Sequence, residues 1–106
     1  MEGYNGYRNY ETWNCSLWLN NDESSYMFWK DAAADALKSS RDKKDAVLQL
    51  MNQMKEAVEN DYEEFLSVQK NGGVSISGMF CDLLKNAISK IDFYEVASSF
   101  IEEAEE

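Results

Sequence analysis

The sequence predicts one all-α domain, residues 1–106, of about five helices, one of them long and four short. Three observations carry that prediction. Apolar residues recur at steps of three and four from Tyr10 onward, and no proline interrupts them. The alternating run Val74-Ser75-Ile76-Ser77 is only four residues long, follows two glycines and reads equally well as loop. A chain of 106 residues has room for a single core.

Each element has its own signature. Residues 1–8 are rich in Gly, Asn and Tyr and read as an irregular N-terminus. Tyr10, Trp13, Leu17 and Trp18 then fall on one helical face, with Asn9 or Thr12 as N-cap. Asn20-Asn21-Asp22 stops that helix and supplies a cap for the next. The second helix repeats Tyr26, Trp29, Ala33, Ala36 and Leu37 on one side, with Lys30, Asp31, Asp35 and Lys38 opposite, until Ser39-Ser40. The longest helix is expected over about 42–69, where Val47, Met51, Met54, Val58, Tyr62 and Phe65 form a continuous stripe. Asn71-Gly72-Gly73 offers its C-cap and a loop. A fourth helix, starting near Ser75 or Ser77, reads through Met79, Phe80, Leu83, Leu84, Ala87, Ile88 and Ile91. The fifth opens on Asp92, three before Glu95 in a capping-box spacing, with Ile91 set to staple to Val96. Val96, Ala97, Phe100 and Ile101 form its apolar face, and 102–106 read as an acidic tail.

Charge excludes more than it assigns. Twenty acids against ten bases give a net charge of −10, which opposes direct binding to nucleic acid or to an anionic membrane. There is no histidine, which removes the commonest general base, metal ligand and nucleophile activator. Cys15 and Cys81 stand 66 residues apart without a CxxC; one disulfide between them is geometrically possible, and two reduced, buried thiols are the preferred reading. No signal peptide or membrane-spanning stretch is visible, and the expected compartment is the cytoplasm. Glu11, Asp22 and Glu23 beside Trp13 and Trp18 are the only carboxylates suggesting hydrolytic chemistry. With no phosphate-binding loop or EF-hand spacing, the protein is not expected to be an enzyme, or to hold a cofactor or metal.

Two concentrations of side chains remain. Glu56, Glu59, Asp61, Glu63 and Glu64 crowd the second half of the long helix, and Glu56, Glu59 and Glu63 are spaced to form one row. Such a row approximates the spacing of backbone phosphates, and it is also what a solvated helix face looks like. Glu102 and Glu103 would extend the negative surface as a frayed end or as a second contact with the same basic partner. The other concentration is aromatic. Eight Tyr, Trp and Phe residues fall in the first thirty, mostly at core spacing, but Trp18 and Phe28 are offset from their neighbours and form a candidate protein-binding patch.

The run Asn9-Tyr10-Glu11-Thr12-Trp13-Asn14, followed by Leu17-Trp18-Leu19-Asn20-Asn21-Asp22-Glu23, is similar to a motif in a family of small proteins of bacteriophages, plasmids and some bacterial genomes, most of them without assigned activity. Asp82-Leu83-Leu84 and Ile91-Asp92-Phe93-Tyr94-Glu95-Val96-Ala97 are similar to that family's C-terminal part. The resemblance implies a mobile-element setting and supplies no catalytic residues. Small acidic proteins in that setting often inhibit host restriction or CRISPR nucleases by occupying nucleic-acid sites. The leading expectation is therefore an anti-CRISPR or antirestriction inhibitor, a nucleic-acid mimic docking on the basic surface of a host defence protein. The alternative is an adaptor using the aromatic patch. A second copy of the chain is a further candidate partner, through an apolar seam on the long helix.

Overall fold

A computed structural model describes residues 3–70 and 75–105, with side chains at 3–67 and 79–105. Its helices are α1 (Tyr10–Asn21), α2 (Glu23–Ser39), α3 (Lys43–Lys70), α4 (Ser75–Ser89) and α5 (Phe93–Glu105). The expected all-α class and the long third helix are both present. The C-cap expected at Asn71-Gly72-Gly73 lies outside the described residues, as do Glu106 and the side chains of Ser75 and Ser77.

Helices α2, α3 and α5 make the core, and α1 closes it against α2 and α5. Trp29, Ala33 and Ala36 face Ala46, Val47, Leu50 and Met54, with Phe93, Val96, Ala97, Phe100 and Ile101 between them. The small residues Ala33, Ala46 and Ala97 are fully buried, which lets the three helices approach closely around the larger side chains. The stripes expected on α2 and α5 are the ones buried. On α3 only the first half is: the stripe is closed at Val47 and Met54, half-buried at Met51, Val58 and Tyr62, and open at Phe65.

Helix α1 is rotated from its expected register. Tyr10 and Trp18 are exposed, while Thr12 and Ser16 are buried and Cys15 and Leu19 pack on the core. Two polar residues can take the inner line because both are hydrogen-bonded. Asn9 Oδ1 caps the helix, accepting from Thr12 N at 2.8 Å and from Thr12 Oγ1 at 2.6 Å. Thr12 Oγ1 in turn accepts from Asp92 N at 2.8 Å, and Asn9 Nδ2 donates to Lys90 O at 2.8 Å. Tyr7 Oη meets Ser16 Oγ at 2.8 Å, and Asn20 Nδ2 donates to Ser16 O at 2.7 Å. Asn9 and Thr12, two of the motif residues noted above, thus fasten the start of α1 to the turn before α5.

That fastening changes the capping of α5. Asp92 Oδ1 accepts from Glu95 N at 3.1 Å as expected. The reciprocal half of the box is absent, because Asp92 N is taken by Thr12 and the Glu95 carboxylate accepts from Arg8 N at 2.9 Å. Ile91 packs against the core cluster that contains Val96.

Residues 1–8 are not all irregular. Tyr4 and Tyr7 exchange both backbone hydrogen bonds, at 2.7 and 2.9 Å, around Asn5 (φ 49°) and Gly6 (φ 90°). Two positive φ angles on Asn-Gly mark the type I′ pattern of a two-residue hairpin. The turn sets Tyr4 against Tyr10 and Trp13, with ring centroids 5.2 and 5.0 Å away.

The tail at 102–106 also differs from expectation, since α5 continues to Glu105. Lys43 Nζ bridges Glu102 at 2.8 Å and Glu105 at 3.1 Å, and Tyr26 Oη donates to Glu103. One cation and one hydroxyl from neighbouring helices hold the last turn, which fraying would otherwise release.

Helix α4 lies against α3 and outside this core. The apolar stripe expected to be buried there is open at Met79, Phe80, Leu83 and Leu84, and only half-buried at Ala87 and Ile88. With α3 some 42 Å long at 1.5 Å per residue, its distal half and α4 form an arm. The extents are 48 × 32 × 24 Å and the radius of gyration is 15.4 Å. A compact chain of this length would have about 13 Å.

Candidate functional site

The acidic candidates belong to the distal half of α3, where the helix has left the core and nothing restricts charge on its outer sides. Glu56, Glu59, Asp61, Glu63 and Glu64 are all exposed. Among the described residues none of them lies within 4.0 Å of a basic group. At 100° per residue, Glu56, Glu59 and Glu63 share an arc of about 60°, with neighbours roughly 6 Å apart. Asp61 sits about 160° from Glu59, and Glu64 flanks Glu63 by about 100°. The five therefore make one row of three and two carboxylates elsewhere around the helix.

The row borders the largest cleft described, about 930 Å³, between distal α3, the end of α4 and the start of α5. Glu59, Glu63 and Tyr62 line one side, and Lys85, Ile88 and Lys90 the other, with Lys55 and Arg8 at its margins. Four of the chain's ten bases thus line a single cleft. Arg8 is committed to Asp92, 3.4 Å away. Tyr62 Oη donates to Cys81 O at 3.2 Å, joining α3 to α4 inside the arm, and burial foremost pushes its phenol pKa up.

Glu102 and Glu103 are not part of this surface. They are tied to Lys43 and Tyr26 at the opposite end of α3. Thirteen residues separate Lys43 from Glu56, or about 20 Å of helix. The two acidic groups are separate features, one unpaired and one engaged within the fold.

The aromatic candidates are both exposed, Trp18 at 67% and Phe28 at 56%. Phe28 packs edge-on against Trp29 at 4.9 Å, beside exposed Met27. Trp18 has no aromatic neighbour among the described residues, so no single ring cluster joins the pair. Glu11, Asp22 and Glu23, the hydrolytic candidates, line none of the described clefts. Among the described residues no three Cys, Asp or Glu side chains converge in a way that could hold a metal ion. No described helix is long and apolar enough to cross a membrane.

Sequence reasoning missed the open face of α4, because a stripe such as Phe80, Leu83, Leu84 and Ala87 has the same spacing whether or not anything covers it. It also missed the roles of Asn9 and Thr12 across the chain, which no local pattern reveals.

The model of a family of unknown function, DUF7249, matches residues 1–106, and the chain belongs to that family. No curated protein and no solved structure matches it.

Proposed function

We propose that this member of the DUF7249 family is a non-enzymatic acidic inhibitor that docks on a basic nucleic-acid site of another protein. The observation that supports this is the unpaired row Glu56, Glu59 and Glu63 on a projecting helix, with Asp61 and Glu64 adding charge around it. Three carboxylates about 6 Å apart present a charge array similar to a run of phosphates, and a groove lined by Lys and Arg would exchange counterions for them. The chain's −10 charge would also speed encounter with such a groove. The motif resemblance suggests a phage or plasmid origin, the bacterial cytoplasm as the setting, and a restriction or CRISPR nuclease as the target.

The test is the triple variant Glu56→Lys, Glu59→Lys, Glu63→Lys, presented as bait to lysate from strains carrying such defence systems. The wild-type chain should capture a basic nuclease that high salt or added DNA releases. The variant should capture none of it, while its helical circular dichroism stays unchanged. Equal capture by the variant would reduce the row to a solvated helix face. The exposure of Trp18 favours a second reading, an adaptor gripping its partner through that ring. In that case capture would resist salt and be lost in Trp18→Ala instead.

A further inference from the structure

We infer that the outward face of α4 is a homodimer contact, its occupant a second copy of this chain. Fifteen residues are barely enough for an isolated helix to persist in water, so α4 needs packing to hold it. None of the described core residues lies on α4. Its inner side, with Cys81, Lys85 and Ile88, meets α3 and the cleft. Its outer side carries Met79, Phe80 and Leu83, which are 50, 54 and 58% exposed. At 100° per residue the two sides point about 160° apart. A partner can therefore cover the outer side without disturbing the inner one.

The open area matches what a dimer requires. With Leu84 at the border of the two sides and Phe65 on α3, also exposed, the apolar side chains of the arm leave roughly 500 Å² of mainly apolar surface. A standard interface takes about 800 Å² from each partner, about 65% of it apolar in homodimers. Two copies of the α3–α4 pair meeting about a two-fold axis would form a four-helix arrangement, the usual way of closing such stripes.

Charge points to a second copy over a foreign partner. Helix α4 holds one acid, Asp82, and one base, Lys85, whereas each of the other four helices is net negative. Two chains of charge −10 repel across most approaches, and least across this face. A basic protein would be drawn to α3 or α5 instead. The dimer contact is independent of the acidic docking surface, so charge reversal on Glu56, Glu59 and Glu63 should leave it intact.

Sedimentation equilibrium of the full chain across micromolar to millimolar concentrations tests the inference. Wild type should approach twice the 12.2 kDa chain mass. The double variant Phe80→Glu, Leu83→Glu should remain at the single-chain mass with its helicity kept. Should that variant unfold, the milder Leu83→Gln carries the test, with an expected loss of at least tenfold in dimer affinity. A wild type that stays monomeric throughout would overturn the inference. So would a folded double variant that still dimerises, or Leu83→Gln dimerising with undiminished affinity.

Discussion

Helices α4 and α5 are comparably amphipathic, yet one is embedded and the other open. Every large apolar residue on the inner line of α5, from Phe93 to Ile101, is buried between α2 and α3. On α4 the corresponding residues Met79, Phe80, Leu83 and Leu84 face solvent. The difference is one of neighbours. Helix α5 runs along the first half of α3, where α2 supplies the other wall, and its start is fastened to α1 by Thr12, Asn9 and Arg8. Helix α4 meets α3 beyond the end of that wall. Amphipathicity states a demand for burial, and position decides whether it is met within one chain.

The sharpest way to break the comparison is a pair of truncations. Leu50→Ala empties a fully buried site in the α2–α3–α5 core and should cost about 3 kcal/mol. Leu83→Ala on the arm, at concentrations too low for self-association, should cost less than about 1 kcal/mol. Urea denaturation of the two variants checks the ordering, and equal losses would mean that the arm is part of the core.

A smaller effect is expected at the fastening. Thr12→Val keeps the shape of a fully buried side chain but leaves Asp92 N without its acceptor, at about 1–3 kcal/mol. Hydrogen exchange should show the loss concentrated at the junction of α1 and α5, with α4 amides unchanged. Uniform loss across α4 as well would place the arm under the control of the same contact.

The smallest effect is pH-dependent. Burial pushes the Cys15 thiol up to about 11. Hydrogen bonds to Glu102 and Glu105 raise Lys43, and the bond to Glu103 raises Tyr26. Each group holds its proton more tightly when folded. Their contribution is complete below the unfolded values and is lost as pH rises through the folded ones, so stability should decline above about pH 9. Lys43 is exposed and the Tyr26 hydroxyl bonds Glu103 at the surface, which keeps their share small. Urea midpoints should fall between pH 9 and 11, and less steeply in Cys15→Ala.

Much of the fold was legible because its helices satisfy local rules. Trp29, Ala33 and Ala36 on α2, and Val96, Ala97, Phe100 and Ile101 on α5, were readable from spacing and are buried. The stop at Asn20-Asn21-Asp22 and the capped start at Asp92 were readable from the sequence, although Asp22 stands at the N-cap of α2 without a side-chain cap hydrogen bond. The candidate site was legible in part. The row Glu56, Glu59 and Glu63 follows from helix geometry, and the exposure of Phe28 from its offset, whereas Trp18 carried both an inner-face and an offset reading and only the rotation of α1 left it exposed. The Asn5-Gly6 turn was also within reach, since that dipeptide is a strong hairpin signal.

Helix class, number and ends follow from contacts within four residues, so the order of amino acids is sufficient to specify them. The rotation of α1, the tethering of Glu102, Glu103 and Glu105, and the separation of the two acidic groups depend on contacts 59 to 80 residues apart. So does the open face of α4. A spacing pattern identifies which side of a helix avoids water. Only the packed chain identifies what, if anything, lies against it, because burial belongs to a pair of surfaces and neither one encodes it alone.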